Sequence, residues 1–359
     1  MVAKLNRAEV YLRPCGFLDG QAANDGVASG HAGLIGQGWA AFSLVEVVAH
    51  APNAGPSQTS RSTHSYQDIK ASKDGAIVQA LAQIEAPRSD VAGLAMDRVQ
   101  LMGIVNVTPD SFSDGGAFLA SHSAIAHGQE MIKQGASMVD VGGESTRPGA
   151  EYVSSQEEIG RVAMVINMLG QTGVPVSIDT RKAEVMAAAS EQGASLINDV
   201  TALEFDDESL SVAAQSGLPV CLMHSQGTPE VMQDNPQYGD VVLDVYDYLA
   251  ARIKACVAAG IAREKIVIDP GIGFGKTLDH NLALIDQISM FHGLGVPVLL
   301  GASRKSFIDA LCGVDEAKDR LAGSVAAALK GVQSGVQFLR VHDVAETKQA
   351  VEVWLGHKI

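Results

Sequence analysis

Gly135-Ala-Ser-Met-Val-Asp140 and Gly193-Ala-Ser-Leu-Ile-Asn198 are one unit written twice with different tips. Each opens on a glycine, which takes the left-handed conformation after a helix without a Cβ penalty and so ends that helix. Each then enters a short β-rich apolar run. Working outward, Met138–Val141 and Leu196–Asp199 within these units are joined by Leu101–Val105, Val176–Asp179, Val220–Met223, Ile266–Asp269, Val298–Leu300 and Phe338–Val341. Amphipathic helical stretches lie between them, at Glu157–Leu169, Val185–Glu191, Leu243–Ala258 and Leu321–Val332, and Gly217, Gly260 and Gly335 again stand just ahead of the next strand. Eight strand–helix units over about 260 residues match the size of an α/β fold of the (β/α)8 TIM-barrel kind. A doubly wound open sheet is the alternative, but it usually needs fewer strands.

The composition changes near residue 97. Upstream lie small, polar pieces such as Asn53-Ala-Gly-Pro-Ser-Gln-Thr-Ser60, and the basic residues Lys4, Arg7 and Arg13 are too sparse for a binding patch. Segment 40–49 suggests a strand and 75–85 a helix. Residues 1–97 therefore read as a small N-terminal accessory region of unassigned role, and 98–359 as the catalytic barrel.

Of the 359 residues 47% are hydrophobic, enough for a buried core, and the formal net charge is −15. A chain so acidic has no reason to hold a polyanion non-specifically, which argues against nucleic-acid and anionic-membrane binding. An anionic ligand would have to be met by a few local cations. The cysteines at 15, 221, 256 and 312 are far apart, with no C-x-x-C pair, so buried thiols in a reducing compartment are expected. Neither a signal-peptide pattern nor a long uninterrupted apolar stretch is visible, and the expected location is cytoplasmic.

Chemistry in such a barrel belongs on the loops after the strands' C-terminal ends. Those places hold Asn106, Thr146-Arg147, Asp179-Thr-Arg181, Asn198-Asp199, His224, Asp269-Pro-Gly271, Ser303-Arg-Lys305 and Arg340-Val-His342-Asp343. An isolated Asp or Asn after a strand is often only a helix cap, and Asp179 could be one. So many tips converging on one mouth are harder to explain structurally. They fall into two halves. Asp179, Asn198 and Asp269 suit a flat heterocycle with several N–H donors and a carbonyl. Lys305, Arg340 and His342, with Thr146 and Arg147, suit a compact anion, since guanidinium grips phosphate oxygens in a fork. Met223 reads as an apolar wall beneath a ring.

Pro270-Gly-Ile-Gly-Phe-Gly-Lys-Thr277 looks like a nucleotide loop, but a P-loop requires glycine where Pro270 stands. The run reads instead as a tight loop that lets backbone approach a ligand or the next helix. His224 is equally a structural histidine or a ligand. No H-E-x-x-H or Cys/His grouping supports zinc, whereas Mg²⁺ bridging diphosphate oxygens to Asn106 is credible chemistry.

Taken together, Asn106-Val-Thr-Pro-Asp-Ser-Phe-Ser-Asp-Gly-Gly116, Gly143-Glu-Ser-Thr-Arg-Pro-Gly149, Asp269-Pro-Gly-Ile-Gly-Phe-Gly-Lys276, Ser303-Arg-Lys-Ser-Phe307 and Arg340-Val-His-Asp343 resemble the dihydropteroate synthase family. The resemblance runs from about Leu101 to the C-terminus. It implies that 4-aminobenzoate is joined to (7,8-dihydropterin-6-yl)methyl diphosphate, giving 7,8-dihydropteroate and diphosphate by an SN1-like route. It also implies that Asp179, Asn198, Asp269 and Lys305 hold the pterin, and that Asn106 meets Mg²⁺ and the diphosphate. Arg340 and His342 become the anion clamp, with Asp179, Lys305, Arg340 and His342 as the catalytic set. Thr146 and Arg147 fall on a loop beside both substrates, with Pro148 and Ser306 near the aminobenzoate. Ser225 departs from the Met that many relatives carry there. A homodimer through outer helices near the C-terminus is implied too. A pterin-binding methyltransferase would not need the Ser303–Lys305 and Arg340–His342 cations, and a binding-only paralogue should have lost part of them.

Overall fold

Strand pairing starts well before the first barrel strand. The elements are β1 (Glu9–Leu18), α1 (Gly20–Ala28), β2 (Gly33–Leu34), β3 (Ala41–His50), β4 (Thr59–Ser65), α2 (Tyr66–Lys70) and α3 (Gly75–Glu85) in the computed structural model, which describes residues 9–50, 59–107, 116–145, 152–227 and 235–359. β3 is central, antiparallel to β1 along one edge and to β2 and β4 along the other. The expected strand at 40–49 is β3, and the expected helix at 75–85 is α3, started by Asp74 accepting from the Ala76 and Ile77 amides. Leu12, Phe42, Val45, Ile69, Leu81 and Ile84 make the sheet's own core. Tyr11 and Val48 belong instead to the barrel's main core. Polar ties add to this seam: Trp39 Nε1 donates to the Val332 carbonyl at 2.8 Å, Ser289 Oγ to the Pro14 carbonyl at 2.7 Å, and Arg88 to the His292 carbonyl at 3.0 Å.

The barrel follows as β5 (Gln100–Asn106), α4 (Gly116–Gln134), β6 (Met138–Gly142), α5 (Ser155–Gly170), β7 (Val176–Asp179), α6 (Ala183–Glu191), β8 (Leu196–Asp199), α7 (Ser209–Ser216), β9 (Val220–Met223), α8 (Val241–Ala258), β10 (Ile266–Asp269), α9 (Leu278–Asp286), β11 (Leu299–Leu300), α10 (Ser306–Cys312), α11 (Leu321–Gln333), β12 (Phe338–Val341) and α12 (Val344–Leu355). All eight strands are parallel, in the order β10-β9-β8-β7-β6-β5-β12-β11. A bridge between Ile268 and Val298 closes the ring, with the Ile268 amide donating to the Pro297 carbonyl at 3.0 Å. The fold is the expected α/β barrel. The glycines ahead of the strands have positive φ, from 66° at Gly217 to 106° at Gly135, as helix stops should. α10 is an extra short helix that the strand–helix count did not include.

Met102, Met138, Leu196, Cys221, Val267, Leu299 and Phe338 share one apolar cluster, closed from the linker by Val91 and Met96. Successive side chains on a strand point to opposite faces, so the residues two further on line the same interior one layer higher. That layer contains Asp140, Asn198, Met223, Asp269 and Arg340.

Candidate active site

The upper layer is wired together by hydrogen bonds. Arg340 on β12 donates through Nε to Asp140 Oδ2 and through its terminal nitrogen to Asp179 Oδ2, both at 2.6 Å. Asn198 Nδ2 donates to the same Asp140 oxygen at 2.9 Å. One guanidinium thus serves two carboxylates from β6 and β7 while keeping further N–H donors. Burial, opposed by Arg340 and reinforced by Asp140, pushes the Asp179 carboxyl up to about 7. Arg340 itself is held above its ordinary value by these carboxylates against the pull of burial. Asp179 is no helix cap, because α6 starts at Lys182 without side-chain capping.

Asp269 ends β10 almost fully buried and accepts the Gly271 amide at 2.7 Å. Burial raises its carboxyl, with Lys305 the main opposing influence. The Lys305 ammonium lies 4.1 Å from the Phe274 ring centroid and donates to the Ile272 carbonyl. Burial, opposed by Asp269, brings Lys305 down to about 7. His342 Nδ1 meets Ser303 Oγ at 2.9 Å. Arg304, between Ser303 and Lys305, pairs with Asp343 and stands at φ 58°. That left-handed backbone is unfavourable for arginine. It is held by the Ser324 hydroxyl on its amide at 2.8 Å and by Arg320 on its carbonyl at 3.1 Å.

The glycine-rich run approaches a neighbouring loop rather than a phosphate. A Cβ on Gly271 would overlap the carbonyl of His224, and one on Gly275 the backbone of Gln226. Lys276 explains the closeness: its buried Nζ reaches His224 Nδ1 at 2.9 Å, the Phe274 carbonyl at 3.0 Å and the His224 carbonyl at 3.3 Å. Burial and Lys276 push His224 down to about 3, so the imidazole is the neutral acceptor in that pair. Its other face meets Tyr248 edge-on, with ring centroids 4.9 Å apart. The ring contacts of His224 among the described residues are to Lys276 and to the Tyr238 and Tyr248 rings. Asp199 is structural, accepting the Thr201 and Leu203 amides at 2.7 and 3.0 Å to close the turn after β8.

Among the expected site residues, Asp179, Asn198, Asp269, Lys305, Arg340 and His342 stand at the C-terminal ends of the strands or just beyond them. Met223 is buried at the end of β9, and Ser306 is exposed at the start of α10. Asn106 is exposed at the end of β5, opposite Gly142. Thr146, Arg147 and Pro148 lie outside the described residues. The base of their loop is described: Glu144 accepts from Arg181 at 3.0 Å, from Lys182 at 3.0 Å and from the Val153 amide at 3.1 Å. Burial alone would raise Glu144, but these donors hold it below its ordinary value. The strand-end reading missed Asp140, which is a strand-interior residue. Its signal was present in the repeated unit, where it occupies the place of Asn198.

The sequence profile of the pterin binding enzymes matches residues 102–342. A dihydropteroate synthase of Neisseria meningitidis is 48% identical over 266 residues, which make up 73% of this chain and 93% of that protein. The chain belongs to the dihydropteroate synthase family. The Escherichia coli dihydropteroate synthase is 47% identical over 72% of this chain and 92% of its own length. Among solved structures, Xanthomonas albilineans dihydropteroate synthase with 4-aminobenzoic acid matches at TM-score 0.70 and 49% identity, over 75% of this chain and 97% of that one. Yersinia pestis dihydropteroate synthase with a sulfonamide drug matches at TM-score 0.70 and 47% identity, over 73% and 95%. Members of the dihydropteroate synthase family are transferases, and this chain is an enzyme of that kind.

Proposed function

We propose that this chain condenses (7,8-dihydropterin-6-yl)methyl diphosphate with 4-aminobenzoate to give 7,8-dihydropteroate and diphosphate, a step of folate synthesis. The observation that carries the reading is the hydrogen-bonded set of Asp140, Asp179, Asn198 and Arg340, with Asp269 and Lys305 beside it. Acceptors for a pterin and cations for a diphosphate occupy one mouth.

In this reading Asp179, Asn198, Asp269 and Lys305 orient the pterin ring over the Met223 wall. Arg340 and His342 bind the diphosphate, with Thr146 and Arg147 contributing and Ser306 near the aminobenzoate. The bond between the pterin methylene and the diphosphate oxygen breaks first, and its electron pair leaves with diphosphate. The methylene cation is stabilised by conjugation into the ring and by the nearby carboxylates. Its positive charge holds Asp179 ionised, since an opposite charge favours the charged form. The aniline nitrogen then forms the C–N bond and releases a proton. An aromatic amine is already a nucleophile at neutral pH, so the rate comes from leaving-group stabilisation and placement of two flat substrates.

Mg²⁺ fits the donor set through Asn106. Its amide oxygen is a hard ligand at the exposed end of β5, and no cluster of three or more acidic, His or Cys ligands occurs among the described residues. Such a site suits an ion held mainly by diphosphate oxygens and water. When bound, Mg²⁺ supplies charge neutralisation to the departing diphosphate. Exposed Val353 and Trp354 on α12 support a homodimer through the outer C-terminal helices. Four free thiols accord with a reducing, cytoplasmic setting, and no described helix is long and apolar enough to cross a membrane.

A coupled assay of diphosphate release, run with both substrates and Mg²⁺, tests the reading. Release should require 4-aminobenzoate and should collapse on chelation of the metal. Absence of any 4-aminobenzoate-dependent release would overturn it.

A further inference from the structure

The relatives leave no room for the N-terminal sheet. About three quarters of this chain already accounts for more than nine tenths of their length, and the family profile starts at residue 102. The sheet nevertheless grips α8, the helix between β9 and β10. Asp240 caps α8 through Oδ1, which accepts the Val242 and Leu243 amides at 3.0 and 3.3 Å. Its Oδ2 accepts from Arg61 of β4 at 2.9 Å. Arg61 is steadied on both sides, by Gln287 Oε1 at 2.9 Å and by Glu46 at 3.4 Å. Two turns along α8, the buried Tyr11 hydroxyl of β1 donates to Asp247 at 3.0 Å, and its ring meets Tyr246 edge-on at 5.1 Å.

The neighbouring residue carries this grip inward. Consecutive helix positions are about 100° apart, so Tyr248 points to a different side from Asp247. There it packs edge-on against His224, and its hydroxyl donates to Glu204 at 2.7 Å. His224 holds Lys276, Lys276 holds the Phe274 carbonyl, and the Phe274 ring lies under Lys305. A second thread runs through the segment just ahead of the helix, where the Tyr238 hydroxyl donates to the Gly275 carbonyl at 2.7 Å.

We propose that the accessory sheet braces α8 and thereby sets the pterin-side loops, with Arg61 and Tyr11 as the positioning residues. The brace acts on the site assigned above and so rests on that functional reading. Partly exposed ion pairs contribute little singly, and one hydroxyl–carboxylate hydrogen bond adds only modestly once its exchange with water is counted. The effect of releasing α8 is therefore bounded.

The test uses the full chain carrying Arg61→Ala with Tyr11→Phe. The KM for the pterin diphosphate should rise about threefold to tenfold, the span that losing one hydroxyl–carboxylate hydrogen bond together with one partly exposed ion pair would give. The KM for 4-aminobenzoate and kcat should stay within about twofold. Arg61→Lys should restore most of the loss. Trp39→Phe, which cuts a different tie between sheet and barrel, should leave both KM values alone. Equal rises for the two substrates, no rise at all, or the same rise with Trp39→Phe would overturn the brace. If the double variant does not fold, Asp240→Asn keeps the cap oxygen while weakening the Arg61 pair, and should shift the pterin KM in the same direction. Titration of a bare pterin by its fluorescence needs no turnover and should weaken by the same factor. An enzyme that binds pterin in this pattern but releases no diphosphate would defeat the functional reading and leave the brace standing.

Discussion

Met138, Leu196, Val267 and Phe338 face the lower barrel interior, and two residues further along the same strands Asp140, Asn198, Asp269 and Arg340 face its mouth. The lower layer is closed with apolar side chains and capped by Val91 and Met96. At the upper layer one guanidinium pairs with two carboxylates, Asp140 and Asp179, and among the described residues Asp140 Oδ1 and Ser177 Oγ are buried without a hydrogen-bond partner. Burying polar groups that are imperfectly paired costs stability. One layer therefore stabilises the barrel, and the other spends some of that stability on arranging charge. Nothing in backbone geometry separates them, only the choice of side chain at every second position.

Truncating the lower layer should cost stability and leave chemistry alone. Phe338 is fully buried, and Phe338→Ala should lower unfolding free energy by about 3–5 kcal/mol. Urea denaturation reads that loss. The kcat/KM of the folded fraction should stay within about twofold, and a large kinetic defect would mean that the layers are not separable.

Truncating the upper layer should do the reverse. Arg340→Ala should reduce kcat/KM about 10²- to 10³-fold, the usual cost of one preorganised donor to a developing anion. The pterin diphosphate should lose more affinity than a bare pterin, because only the former presents the anion. Equal losses for the two ligands would refute the clamp.

The two layers also differed in how legible they were. The apolar runs and the glycines before them located all eight strands to within a residue or two, since period and punctuation are local signals. The strand tips located Asp179, Asn198 and Asp269 for the same reason. Asp140 is not legible from the strand tips, because β6 continues to Gly142 and makes it a layer residue. The partners of Glu144, Lys182 and Lys276 come from other strands, and no local pattern encodes them. The accessory sheet was largely illegible for a different reason. β4 reads Thr-Ser-Arg-Ser-Thr-His-Ser and pairs with β3 through its backbone, without an apolar alternation to announce it. β1 carries Pro14, which an edge strand tolerates and a central one would not.

The smallest expected contrast is between two histidines, one at each end of the barrel. His292, fully buried near the lower end, has Nε2 on the Ser334 carbonyl at 2.9 Å, and burial with Arg88 pushes it down to about 3. His224 at the mouth is pushed to about 3 by burial with Lys276. An unfolded histidine titrates near 6.5, so below that pH the unfolded chain takes up protons that the folded chain refuses. The stability each group contributes is complete above pH 6.5 and drains away as pH falls toward 3. Between pH 7 and pH 5 each should cost about 2 kcal/mol, visible as a falling urea midpoint. His292→Gln should flatten part of that slope without touching KM. His224→Gln should flatten it too, but it also removes the acceptor that Lys276 uses to draw the Gly-rich loop toward β9, so the pterin KM should rise. A rise in pterin KM with His292→Gln, or none with His224→Gln, would show that the division between a stabilising end and a chemical end does not extend beyond the strand residues themselves.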